Sequence, residues 1–142
     1  MLRKAEDFYN EGSKVFHRAP VNRQSIQGWI GISKGKIADA QRQENSTTTR
    51  LGAAYDAILN LSLAILSSRG WRAGGAEGHH VQTLEAACAY AGVTQAVFDQ
   101  LDAIRDLRNN QYQGIEPSES DVKLALSVLE RLVPQLLHLL SA

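Results

Sequence analysis

Apolar residues recur in steps of three and four along most of this chain, a period that fits α-helix and does not fit strand. After the capping cluster at 45–47, Leu51, Tyr55, Ile58, Ser62 and Ile65 fall on one stripe, widened by Ala54, Leu61 and Leu66. A helix this apolar, ending near Ser68, belongs at the centre with neighbours on more than one side. An earlier helix, capped by Asn22 or Ser25, carries Ile26, Ile30, Ser33, Ile37 and Ala40 beside Trp29. Gly70, Gly74, Gly75 and Gly78 then interrupt the pattern. From about His79 it resumes with Val81, Leu84, Cys88 and Ala91, up to a stop at Gly92. Thr94 can cap a helix over 95–112 that Gly114 and Pro117 end. Ser118 and Asp121 resemble a capping box for a last helix bearing Val122, Leu126, Leu129, Val133, Leu136 and Leu140, in which Pro134 predicts a kink. A weaker helix is expected over 2–16. No segment alternates as a strand would. The expectation is an all-α, antiparallel up-and-down bundle of four to six helices, one domain over 1–142, with 1–20 a weakly packed N-terminal helix.

At 142 residues, 44% apolar and 21% charged, the chain can bury a real core. Its formal net charge of zero argues against coating nucleic acid by bulk electrostatics. The charge is uneven: residues 1–50 hold nine Lys/Arg against five Asp/Glu, and residues 51–142 hold six against ten. These read as two solvated faces that attract each other, or as a basic portion that meets an acidic partner. Cys88 is the only cysteine, so neither an intrachain disulfide nor a thiolate metal cluster can form. The first residues lack the apolar core of a signal peptide, and the longest apolar stretch, 57–66, is broken by Asn60 and Ser62. The expectation is a cytoplasmic protein without a membrane partner.

Arg108 is the most informative position. Val97, Leu101 and Ile104 fall on one helical line, and Arg108 stands where the next Leu should be, with Tyr112 a turn later. A buried unpaired guanidinium is costly, so Arg108 must be paired, line a groove or lie at an interface. Asp102 and Asp106 are on the opposite side; Asp56 or Glu85 could answer it from another helix, merely tying helices together. The surrounding run also holds Arg105, Asn109, Asn110, Gln111 and Gln113, side chains suited to phosphate and base edges or to a solvated helix end. The second candidate is the glycine-rich stretch 69–80. Its backbone could cradle an anion, Arg72 would add charge, and His79 or His80 could exchange protons near neutrality. It lacks the Lys-Ser/Thr of a P-loop, adjacent histidines diverge on a helix, and no metal site or cofactor is expected.

The run Leu107-Arg108-Asn109-Asn110-Gln111-Tyr112 resembles the HEPN superfamily, and so does the wider pattern of 38–40, 54–57, 70–72 and 78–80. The resemblance implies a small antiparallel helical bundle that pairs as a homodimer. In nuclease members an Arg and a later His form a metal-independent RNA-cleaving site. Other members bind nucleotides or act as partners of a small nucleotidyltransferase-like protein in toxin–antitoxin pairs. Arg108 and Asn109 match the motif; its histidine is absent, with Tyr112 four residues after Arg108. The implied function is binding of RNA or a nucleotide in an Arg108-centred groove. Arg108, Tyr112 and His79 or His80 are the catalytic candidates, and Arg72, Asn109 and Arg105 the ligand-binding ones. The alternatives are a helical protein–protein interaction module and a metal-independent ribonuclease. Surplus apolar residues on the last helix (Leu124, Val128, Leu132, Leu137, Leu139) also suggest a dimer face.

Overall fold

The computed structural model describes residues 1–75 and 79–141. Among them the chain forms six helices: α1 (Ala5–Asn10), α2 (Arg23–Gln41), α3 (Thr47–Ser68), α4 (His79–Tyr90), α5 (Gln95–Asn109) and α6 (Glu119–Leu140). The architecture is the all-α helical bundle that the periodicity requires. A 3-10 turn, Asn110–Gln113, follows α5. Two short strands, β1 (Phe16–Arg18) and β2 (Trp71–Ala73), complete the described structure.

Helix starts follow the capping chemistry. Asn22 accepts from the Ser25 backbone N–H, Ser46 from Thr49 and Thr94 from Val97. Ser118 and Asp121 close a full capping box, with Asp serving where Glu is usual. Gly92 and Gly114 turn the chain at φ of 70° and 75°, a region that costs any residue with a Cβ. Pro134 is accommodated inside α6 on its solvent side, so the carbonyl it leaves without a helical partner faces water.

α3 is the axle. Its whole predicted stripe is buried, and α2, α4, α5, α6 and β2 all pack on it. Ser62 sits on that apolar stripe at no great cost because its hydroxyl donates back to the Ile58 carbonyl at 2.8 Å. α2 and α3 run antiparallel. Their pairing is fixed by Ser33 Oγ donating to the Ala57 carbonyl (2.9 Å), Arg50 Nε donating to the Ala40 carbonyl (2.9 Å) and Lys36 facing Asp56. On α6 the buried residues are Val122, Ala125, Val128, Leu129, Leu132 and Leu136. Val128 and Leu132, which looked surplus, thus serve the core. Leu124, Leu137 and Leu139 are half-buried beside it.

The N-terminal region departs from expectation. The helix there has six residues rather than fifteen, and the segment is well packed: Ala5, Phe8, Val15 and Phe16 are buried with Leu66, Trp71 and Ala86 in a second apolar cluster. Glu6 Oε1 ties this cluster down, accepting from Trp71 Nε1 (3.1 Å) and the Tyr90 hydroxyl (2.7 Å). The strands pair antiparallel, Phe16 opposite Ala73 and Arg18 opposite Trp71. Three residues are too few to display alternation, so period alone could not reveal them. The ribbon fixes the near end of the glycine-rich stretch; residues 76–78 of that stretch lie outside the described residues.

Candidate functional site

The site is built on α3, where consecutive residues do different work. Tyr55 is fully buried. Asp56, next along, turns to the α2 side, where one carboxylate oxygen faces Lys36 Nζ and the other faces Arg108 Nη2, each at 3.6 Å. Lys36 arrives there because it follows Ser33 by one turn, and Ser33 is locked to the Ala57 carbonyl. Arg108 arrives because Leu101 and Ile104, on its own line of α5, are fully buried against the core. Its guanidinium lies 5.2 Å from the Tyr55 ring centre, within cation–π range.

Arg108 is neither sealed nor spent. Its side chain keeps 22% of its exposure. A separation of 3.6 Å is an ion pair, not a hydrogen bond, and the guanidinium carries five donors. Among the described residues none of them is engaged in a hydrogen bond. Arg108, Lys36, Asp56, Asp39, Thr49 and Gln111 line a cavity of about 250 Å³ between α2, α3 and the end of α5.

His80 also neighbours the Tyr55 ring, with ring centres 6.2 Å apart and the planes tilted, and the His79 ring lies 4.9 Å from that of His80, tilted by 57°. Burial, then the neighbouring His79 and Arg108, hold the His80 imidazole below its ordinary pKa, against the opposing pull of Asp56. Burial alone does the same for His79, whose Nδ1 lies 3.5 Å from the Thr83 hydroxyl. The shift favours the neutral form of both, and a neutral imidazole can accept a proton. Burial pushes the Tyr55 phenol up to about 12, opposed by Arg108 and Arg105, so it stays protonated. Its hydroxyl has no partner among the described residues.

The remaining candidates divide. Tyr112 is 74% exposed, on the 3-10 turn that follows α5. Arg105 is occupied by its own helix, with Asp102 at 2.9 Å and Asp106 at 3.5 Å. Asn109 is half-buried at the end of α5. Arg72 lies on β2, on a different cavity. Glu85, one of the two partners weighed for Arg108, instead binds Arg3 at 3.0 Å. Sequence reasoning missed Lys36 and the Tyr55 ring as parts of the site. The available signal was the spacing from Ser33 to Lys36 and the position of Tyr55 beside Asp56. Among the described residues no three His, Cys, Asp or Glu side chains gather as metal ligands do.

No protein-family model matches the chain, and no curated protein or solved structure matches it.

Proposed function

We propose that this is a HEPN-like, cytoplasmic RNA-binding protein whose Arg108 cleft takes a phosphodiester of single-stranded RNA. The observation that carries the reading is an arginine held at the surface of the bundle with unsaturated donors, beside a second cation, Lys36, and a neutral histidine, His80. A phosphate entering the cleft would meet Arg108 as a planar, multi-donor partner and Lys36 as a point charge. Asp56 pairs with both cations and competes with the phosphate for them. The proposal includes a homodimer and the role of one member of a toxin–antitoxin pair, with a small nucleotidyltransferase-like protein or an antitoxin as the other. These rest on the resemblance at Arg108-Asn109.

A second reading, metal-independent ribonuclease, is favoured by His80 alone. In that reaction neutral His80 removes the proton of the ribose 2′-hydroxyl, and the 2′-oxygen attacks the adjacent phosphorus. Arg108 stabilises the added negative charge, and the 5′-oxygen leaves with a proton from water, giving a 2′,3′-cyclic phosphate. Tyr112 is exposed on the 3-10 turn and takes no part in this step. Binding needs only Arg108 and Lys36, whereas cleavage also needs His80 to reach the 2′-hydroxyl. The isolated protein is therefore expected to bind RNA and to cleave it weakly or not at all.

The test is a metal-free assay of binding and cleavage with a short single-stranded RNA, on the parent, Arg108→Ala and His80→Gln. Binding that Arg108→Ala abolishes and His80→Gln preserves supports the first reading. Robust cleavage lost in both variants establishes the second. Absence of RNA binding by the parent refutes both.

A further inference from the structure

The second cavity, about 440 Å³, lies at the other end of the α2–α3 pair, beneath the ribbon. Its wall includes Trp29 and Trp71, and the two indoles are used differently. Trp71 is fully buried in the N-terminal cluster, with its face covered by the Arg18 guanidinium at 3.9 Å. Trp29 is half-buried yet belongs to neither apolar cluster, and it has no aromatic or cationic partner among the described residues. An indole that contributes to no core, on the wall of a cavity, is a free stacking surface. Arg23 and Arg72 line the same cavity from α2 and β2, and neither is in an ion pair among the described residues. The lining also contains Asn22 and Ser67 and no acidic residue.

We infer that this cavity binds a nucleobase–phosphate unit, with the base on Trp29 and the phosphate between Arg23 and Arg72. A flat aromatic group needs the indole, and an anion needs two unpaired guanidinium forks. The volume suits a small ligand of that size. Arg23 and Lys36 are separated by thirteen residues of α2, so the two cavities lie about 20 Å apart along its axis. The inference stands on other residues than the Arg108 reading and does not depend on it. The unit is either a free mononucleotide or one nucleotide of a strand.

The experiment follows indole fluorescence as adenosine monophosphate, or a 5′-phosphorylated four-nucleotide RNA, is added to the full chain. The proteins are the parent, Trp29→Phe, Arg23→Gln with Arg72→Gln, and Arg108→Ala. Circular dichroism verifies that each is folded. The expected result is saturable quenching that Trp29→Phe removes and that the double arginine variant weakens by about tenfold or more. With the mononucleotide, Arg108→Ala should leave the quenching unchanged. Saturation by the mononucleotide identifies a free nucleotide as ligand, and saturation by the RNA alone identifies a strand. No saturation with either ligand overturns the inference. So does quenching of unchanged affinity in the double arginine variant, or inorganic phosphate competing as well as the mononucleotide, which would show that the base is not read.

Discussion

Arg108, Asp56 and Lys36 form a chain of partly exposed charges, and such pairs contribute about 0–1 kcal/mol each. Arg108→Ala is therefore expected to leave the thermal midpoint nearly unchanged while weakening RNA binding. Asp56→Asn should act the other way on binding, because it removes the anion that competes for both cations. A pair that merely ties helices together predicts instead that both variants lower the melt alike, with no change in binding. Tyr55→Phe should be neutral or stabilising, since it deletes a buried hydroxyl without a described partner; a clear loss of stability would reveal a bond to that hydroxyl. The histidines make a prediction about pH. Their folded-state pKa values lie below the ordinary one, so on acidification the unfolded chain takes up protons first. Their cost is absent above about pH 6.5 and grows as pH falls from there toward the folded values. Replacing both with Gln should flatten the decline of the melting temperature between about pH 7 and about pH 5. An unchanged decline would assign it to other groups.

At the scale of elements, the α2–α3 hairpin sets the site. Ser33 is buried and hydrogen-bonded to the carbonyl next to Asp56, so α2 can approach closely only while position 33 is small. Ser33→Leu is expected to cost roughly 1–3 kcal/mol by overpacking and to displace Lys36 from Asp56. Calorimetry gives the first effect and the RNA affinity gives the second; a variant with unaltered melt and binding would show that the approach is looser than described. Periodicity made α2, α3, α4 and α6 legible in advance; the caps Thr94 and Ser118 marked helix starts to the residue, and Asn22 was one of two caps foreseen for α2. The ribbon was not legible. Phe16 and Trp71 read as helix and loop residues because a three-residue strand has no period, and its partner lies over fifty residues away. Part of the site was legible too. Arg108 stood out as a charge on an apolar line, and Asp56 was one of two foreseeable partners. Lys36 and the shared Tyr55 ring depend on the register between helices, which no single helix pattern encodes.

Across the whole molecule, the basic N-terminal portion and the acidic remainder meet in folded contacts, Arg3 with Glu85 and Lys36 with Asp56. Part of the charge asymmetry is thereby spent internally. Light scattering tests the dimer: a mass twice the 15.6 kDa of the chain is expected, and 15.6 kDa at high concentration would refute it. With Val128 and Leu132 taken by the core, the half-buried Leu124, Leu137 and Leu139 are the part of α6 left to such an interface. The central claim is that Arg108 is held for a phosphate. The most direct measurement is the affinity for one short single-stranded RNA of the parent, Arg108→Ala and Asp56→Asn at one salt concentration, beside their melting temperatures. The account predicts weaker binding for Arg108→Ala, tighter binding for Asp56→Asn, and melts within a few degrees of the parent. Equal RNA affinities in all three proteins, with melts lowered in both variants, would contradict it.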